Sequence, residues 1–213
     1  MIIRTYPVGP FQMNCYLVAD EATRQGVLID PGDETEWLLD QIQREGVQIQ
    51  CIYLTHAHID HVARAQEAKQ ALGVPLYVHE ADAPLLKAAP QQALMLGLRP
   101  GPPVEPDGWL REGEVSAGPL TFRVLHTPGH SPGGVTLVIG DHAFVGDAIF
   151  AGSIGRTDLP GGDLEVLLRS IKEKILTLGD QVILHPGHGP ATTVGEERRS
   201  NPFLQEGRPL WLP

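Results

Sequence analysis

Cysteine is nearly absent from this 213-residue chain, with Cys15 and Cys51 the only two. Two thiols cannot build a disulfide framework. Both lie in apolar runs, so they read as buried free thiols. Missing too is any apolar run long enough to span a membrane, and the opening Met1-Ile2-Ile3-Arg4-Thr5-Tyr6-Pro7 holds no basic segment leading into one. A cytoplasmic protein without membrane contact is the expectation. Positive charge is scarce: 16 Lys and Arg face 26 Asp and Glu, a formal net charge of -10. Such a chain repels phosphate backbones and anionic lipid heads, so nucleic acid is not expected as a partner. There is no G-x-S-x-G elbow, no P-loop and no C-x-x-C, which argues against serine-hydrolase, nucleotide-hydrolase and dithiol chemistry. No low-complexity tract, charge block or fixed-period repeat divides the sequence, and residues 1–213 read as a single domain of undetermined oligomeric state.

Short apolar stretches separated by Gly, Pro and acidic turns open the chain, and 2–8, 15–19 and 27–29 predict strands. Asp33 and Glu36 suggest a D-x-x-E capping box for a helix with Trp37, Leu38 and Ile42 on one face and Gly46 as its stop. Residues 49–54 predict a further strand, after which Val62, Ala65, Ala68 and Leu72 recur at helical spacing up to Gly73. A strand at 74–78 precedes a helical stretch at 81–98, expected to break at Pro84 and Pro90, and a Pro-rich loop at 99–108. Leu120, Phe122 and Val124 alternate with Thr121 and Arg123 as in a half-buried strand, and 135–139 pairs with 142–145 across a Gly140-Asp141 turn. An amphipathic helix carries Leu164, Leu167, Leu168, Ile171 and Ile175 towards Gly179, and 181–184 predicts the last strand. Strands and helices alternate throughout, which places the chain in the α/β (α+β) class with helices packed on sheets.

The chemistry concentrates in Thr55-His56-Ala57-His58-Ile59-Asp60-His61, directly after an apolar strand and opening a helix. Three imidazoles and a carboxylate in six residues offer the nitrogen and oxygen donors that Zn, Fe and Mn accept. His130, Asp147 and His188 each follow the carboxyl end of a predicted strand. Strand ends of one sheet share an edge, so these turns can converge on one point. A bound divalent metal lowers the pKa of its water towards neutrality, making a hydroxide nucleophile available. Of the remaining histidines, His126 and His185 read either as hydrogen-bond partners of ligands or as polar strand-end residues, and His142 as an exposed residue beside the hairpin turn.

Residues 56–61 match in full the H-x-H-x-D-H motif of the metallo-β-lactamase superfamily, and His130, Asp147 and His188 follow in that family's order. The chain resembles that superfamily over nearly its whole length, from Asn14-Cys15-Tyr16 to Arg198-Arg199-Ser200-Asn201-Pro202. The run Gly146-Asp147-Ala148-Ile149-Phe150-Ala151-Gly152-Ser153-Ile154-Gly155-Arg156-Thr157-Asp158 looks like the stand-alone bacterial glyoxalase-II-like hydrolases. The resemblance implies an αββα four-layer sandwich with the site at one edge. It further implies two divalent metal ions per chain, Zn first with Fe or Mn as alternatives. His56, His58 and His130 would hold one, Asp60, His61 and His188 the other, and Asp147 would bridge them, with Asp60 also catalytic. A hydroxyacylglutathione hydrolase (glyoxalase II) type of thioesterase, acting on a small-molecule thioester, is the function it implies. Two departures bear on glutathione. Glyoxalase II proper carries a C-terminal helical domain that grips it, whereas no such separate domain is expected in the short stretch after His188. It also has a Lys and aromatic segment where this chain reads Gly155-Arg156-Thr157-Asp158. Arg156 is then a candidate partner for a substrate carboxylate, or else a turn residue paired with Asp158. The alternative function is a mononuclear Fe oxidoreductase similar to the persulfide dioxygenases, with His56, His130 and Asp147 as ligands. A nuclease is disfavoured by the charge, and a β-lactamase by the Asp at position 147.

Overall fold

The computed structural model describes residues 1–205; residues 206–213 of the expected 1–213 unit lie outside the described residues. The first sheet contains β1 (Ile2–Val8), β2 (Met13–Ala19), β3 (Gln25–Ile29), β4 (Gln48–Tyr53), β5 (Leu76–His79) and β6 (Gly108–Leu110), in that order across the sheet. β1 to β3 are antiparallel neighbours, and β3 to β6 run parallel. The parallel steps cross over through α1 (Thr35–Glu45), the pair α2 (Ile59–Val62) and α3 (Ala65–Leu72), and α4 (Ala83–Met95). The second sheet contains β7 (Gly113–Ala117), β8 (Leu120–His126), β9 (Val135–Ile139), β10 (His142–Gly146), β13 (Ile183–Pro186) and β14 (Thr192–Thr193), ordered β14-β13-β10-β9-β8-β7. Between β10 and β13 lie a small hairpin, β11 (Ile149–Phe150) with β12 (Ser153–Ile154), and α5 (Leu164–Ser170), which continues as a π-helical turn at Ile171–Ile175. α6 (Val194–Ser200) follows β14.

Side-chain alternation explains the layers. β2 is buried at every position because both of its faces are covered. Met13, Cys15, Leu17 and Ala19 pack towards Leu38 and Ile42 of α1, Ala65 and Ala68 of α3, and Leu86 and Ala93 of α4. Tyr16 and Val18, one residue out of phase, meet Leu120, Phe122, Val124 and Phe144 of the second sheet. On that sheet's far face, Ala143 and Val145 pack against Leu167, Ile171 and Ile175 of the α5 segment. Helix, sheet, sheet and helix thus stack as the αββα sandwich. Both cysteines are free and buried, Cys15 on the helix side and Cys51 between the sheets. Among the described residues no helix is long and apolar enough to cross a membrane.

Four local readings are corrected. The capping box at Asp33 does not form: Glu34 is the N-cap, in the left-handed region, and no side chain caps α1. Asp33 instead accepts from the Glu34 backbone N–H, while Gly46 does end the helix in the left-handed conformation. Pro90 does not break α4. Pro84 sits in the first turn, where no N–H is needed, and the ~3 kcal/mol penalty of an internal proline is offset by burial of Leu85, Leu86, Ala89 and Ala93. The helix read from Val62 to Leu72 is two pieces, interrupted at Arg64. β7 and α6 were not anticipated. β7 is a short edge strand in which only Val115 and Ala117 alternate inward against exposed Glu114 and Ser116, and α6 carries a T-x-x-E signal in which Thr193 accepts from the Glu196 N–H.

Candidate metal centre

Four turns and a short helix at one edge of the sandwich bring the donors together: the turn after β4 carries His56 and His58, α2 carries Asp60 and His61, and the turns after β8, β10 and β13 carry His130, Asp147 and His188. β8, β10 and β13 run in one direction, so their carboxyl ends lie along a common edge. All seven sequence-derived donors meet there. His56, His58 and His130 form one group with ligand atoms within 4.8 Å of one another, and Asp60, His61 and His188 form another. Asp147 stands between them: Oδ1 is 3.4 Å from His61 Nε2, and Oδ2 is 3.6 Å from both His130 Nε2 and His188 Nε2. The His/Asp cluster can hold divalent metal.

The imidazoles are aimed by what their far nitrogens touch. His61 Nδ1 donates to Asp30 Oδ2 at 3.0 Å, His130 Nδ1 to the Arg156 carbonyl at 2.8 Å, and His188 Nδ1 to the Phe11 carbonyl at 3.2 Å. His56 Nδ1 donates to Thr55 Oγ1 at 3.1 Å, because the Thr55 hydroxyl spends its own proton on Asp30 Oδ2. Each of these four rings therefore turns its Nε2 to the centre, where His188 Nε2 lies 2.9 Å from Asp60 Oδ2. His58 differs and turns Nδ1 inward, 2.7 Å from His130 Nε2. His56 Nε2, His61 Nε2 and Asp147 Oδ1 are buried without any hydrogen-bond partner. Orphaned polar atoms are expensive in a folded interior unless something binds them, and three converging lone-pair donors fit a cation.

Titration follows the same geometry. Burial, reinforced by neighbouring imidazoles, pulls His56 well below its ordinary value and His58 down to about 4, and burial lowers His130. These three rings stay neutral at pH 7, the form that ligates a metal. Burial also opposes protonation of His61 and His188, but Asp60 and Asp147, with Asp30 at His61, outweigh it and raise both. The same imidazoles hold the Asp60 and Asp147 carboxyls below the ordinary carboxylate range despite their burial.

Several positioning residues escape the sequence reading. Asp30 is buried, and besides His61 it accepts from the Thr55 N–H at 2.7 Å. It follows the carboxyl end of β3, the same placement that singles out His130, Asp147 and His188, so the signal was present. Asp82, fully buried, accepts from Ala57 N–H and Ser131 Oγ, both at 2.9 Å, and from Gly133 N–H. It ties the His56 turn to the His130 turn across the two sheets. Asn14 Nδ2 donates to the Pro186 and Gly189 carbonyls and Tyr16 Oη to Pro186, pinning the His188 turn. Gly187 is required at that turn, since a Cβ there would lie 2.1 Å from Asp147 Oδ1.

The other histidines stay out of the centre. His126 Nε2 bonds the Pro132 carbonyl while its ring stacks on His79. His142 is half-buried rather than exposed, with Nδ1 3.0 Å from His185 Nε2, and His185 stacks on Phe144. Burial and the neighbouring His142 push His185 down to about 4. Below pH 6.5 the unfolded chain binds this proton and the folded chain does not, so stability from this group is present above 6.5 and is lost as pH falls to about 4. In metal-free protein, His185→Gln is expected to become more stable relative to wild type across that window, by up to about 3 kcal/mol. Unfolding midpoints from pH 7.5 to 4.5 measure it; parallel curves for the two proteins would contradict the assignment.

The centre forms the floor of a cleft of about 1000 Å³, bounded by Phe11, Met95, Leu96, Phe150, Ile154 and Leu159. Arg156 lines it too, with Nε and Nη2 already bonded to the two oxygens of Asp158 at 2.7 and 2.8 Å. The turn-residue reading of Arg156 is thus present in the structure, and it is the Arg156 backbone that orients His130.

Comparison with known proteins agrees with this geometry. The metallo-beta-lactamase superfamily profile matches residues 8–188. Hydroxyacylglutathione hydrolase GloC of Haemophilus influenzae is 42% identical over 96% of this chain and 98% of its own. The crystal structure of TTHA1623 in a di-iron-bound form superposes with a TM-score of 0.87 at 45% identity, covering 94% of this chain and all of that one (100%). BLEG-1, described as a B3 metallo-beta-lactamase, superposes at 0.89 with 39% identity, covering 95% and 99%.

Proposed function

The chain belongs to the metallo-beta-lactamase superfamily and is a metallo-hydrolase of that family, and from this premise we propose that it hydrolyses thioesters with two metal ions per chain, in the manner of a hydroxyacylglutathione hydrolase. The observation that carries the reading is the pair of donor triads joined by Asp147, with buried nitrogens that nothing else among the described residues satisfies. His56, His58 and His130 would hold one ion, Asp60, His61 and His188 the other, and Asp147 would touch both. Zn is our first choice, with Fe or Mn also suited to an all-nitrogen and oxygen set. When bound, the ions supply Lewis acidity and an activated water.

The residues of the chain do the rest. Asp60, held ionised beside His61 and His188, keeps a carboxylate at the cleft floor and would orient the attacking water. Water adds to the thioester carbonyl carbon, the C–S bond breaks, and the products are a carboxylic acid and a thiol. Apart from the donors themselves and Arg156, no charged or imidazole group among the described residues lines the cleft, so these residues offer no dedicated acid to protonate a poor leaving group. A thiolate needs none, whereas an amine or alkoxide would. The likeness to GloC supports the same substrate class.

Metal analysis coupled to activity tests the proposal. Two ions per chain and turnover of S-lactoylglutathione or simpler thioesters, well above that of a β-lactam, are the expected results. One Fe per chain with thiol-dependent oxygen uptake would replace it by the mononuclear oxidoreductase reading, and preferential β-lactam turnover by the activity named for BLEG-1.

A further inference from the structure

Resting on the thioester reading above, we propose that the cleft selects its substrate through an apolar acyl group, so that thioesters of aliphatic or aromatic acids are its substrates and the thiol half contributes little to recognition. Exposed apolar surface is concentrated at this one place. Of the seven large hydrophobic side chains that stand exposed among the described residues, Phe11, Met95 and Leu96 line the cleft, and Leu94 adjoins them on the same turn of α4. Met95 is 80% exposed and Leu96 54%. Contiguous exposed apolar surface of this kind, rimming a polar floor, marks a binding region for apolar groups. Phe150 and Ile154 from the β11–β12 hairpin and Leu159 continue it down to the donors.

The charge distribution points the same way. A peptide thiol such as glutathione brings two carboxylates, and recognition of them needs cations with free donors. Among the described residues Arg156 is the only Lys or Arg in the lining, and its fork is closed on Asp158, so a substrate carboxylate would have to displace an intramolecular partner. The formal net charge of -10 gives no long-range attraction for an anionic substrate. A cleft of about 1000 Å³ also exceeds what a three-carbon hydroxyacyl group fills. An unbranched thioether side chain at the mouth, Met95, can close over acyl chains of different length.

The test is a matrix of substrates on the metal-loaded enzyme: acetyl, butyryl, hexanoyl and octanoyl thioesters, each on glutathione and on N-acetylcysteamine. The expected result is a rise in kcat/KM of roughly three- to fourfold per methylene until the cleft is filled. For any one acyl chain the two thiols should differ by less than about tenfold, one decade in rate. Met95→Ser with Leu96→Ser, both at exposed positions that folding does not depend on, should flatten the chain-length slope. The same slope should appear in affinity, read by calorimetry with ketone analogues in which a methylene replaces the thioester sulfur. Hydrolysis with no chain-length dependence, or with the glutathione thioester preferred by more than about a hundredfold, would overturn this inference and leave the thioesterase reading standing. Absence of hydrolysis across the whole matrix would overturn both.

Discussion

Asp147→Ala is expected to lower thioester turnover by about a thousandfold or more, while His126→Ala and His185→Ala each stay within about tenfold of wild type. The first figure follows from losing the one carboxylate that faces both donor triads, which removes several kcal/mol of charge stabilisation at the reacting centre. The second follows from what the two histidines touch. A group bonded to a ligand alters affinity or rate by about 10 to 100-fold when removed. His126 instead holds a loop carbonyl and stacks on His79, and His185 packs on Phe144 and His142. Steady-state kinetics with parallel metal analysis of the three variants distinguishes these roles. Similar losses in all three would mean that the bridging position belongs to another residue.

Removing the metals should be visible without any substrate. Ions present at a thousandfold excess over their dissociation constant stabilise the folded chain by about 4 kcal/mol per site. For a chain of this size one kcal/mol moves the melting temperature by about 2–4 °C. Chelation is therefore expected to lower Tm by about 10 °C or more, and added Zn should restore it. The physical source is the set of buried nitrogens and carboxylate oxygens that are unpaired unless a cation joins them. An unchanged Tm in protein shown to be metal-free would indicate that the donors are held rigidly by their outer partners and bind ions only weakly.

The donors are legible in the sequence because chemistry and spacing coincide: three imidazoles and a carboxylate within His56 to His61 have few other uses, and His130, Asp147 and His188 all stand at strand ends. The layering is legible where alternation is strong, as in Leu120, Phe122 and Val124. What escapes is of two kinds. Asp82 acts by accepting hydrogen bonds from groups brought close only by folding, and a lone carboxylate in a turn is otherwise an ordinary surface residue, whereas Asp30 shows only its strand-end position. Asp82 joins Gly133, 51 positions away, a relation no local pattern encodes. The second kind is tertiary override. Burial keeps α4 intact through Pro90, which its own residues do not foretell, whereas β7 carries an inward Val115 and Ala117 but over too few positions to stand out.

The bond between His188 and Asp60 joins positions 128 apart, and the donors it links come from opposite sheets. Closing so large a loop is entropically demanding, and its reward arrives only when both sheets are already docked. The centre is accordingly expected to form late in folding rather than to nucleate it. Ions that bind the finished edge stabilise contacts absent from the transition state, so they act on the rate of unfolding far more than on the rate of folding. With ions bound, the centre would work as a kinetic latch, and chelation is expected to speed unfolding far more than it slows refolding.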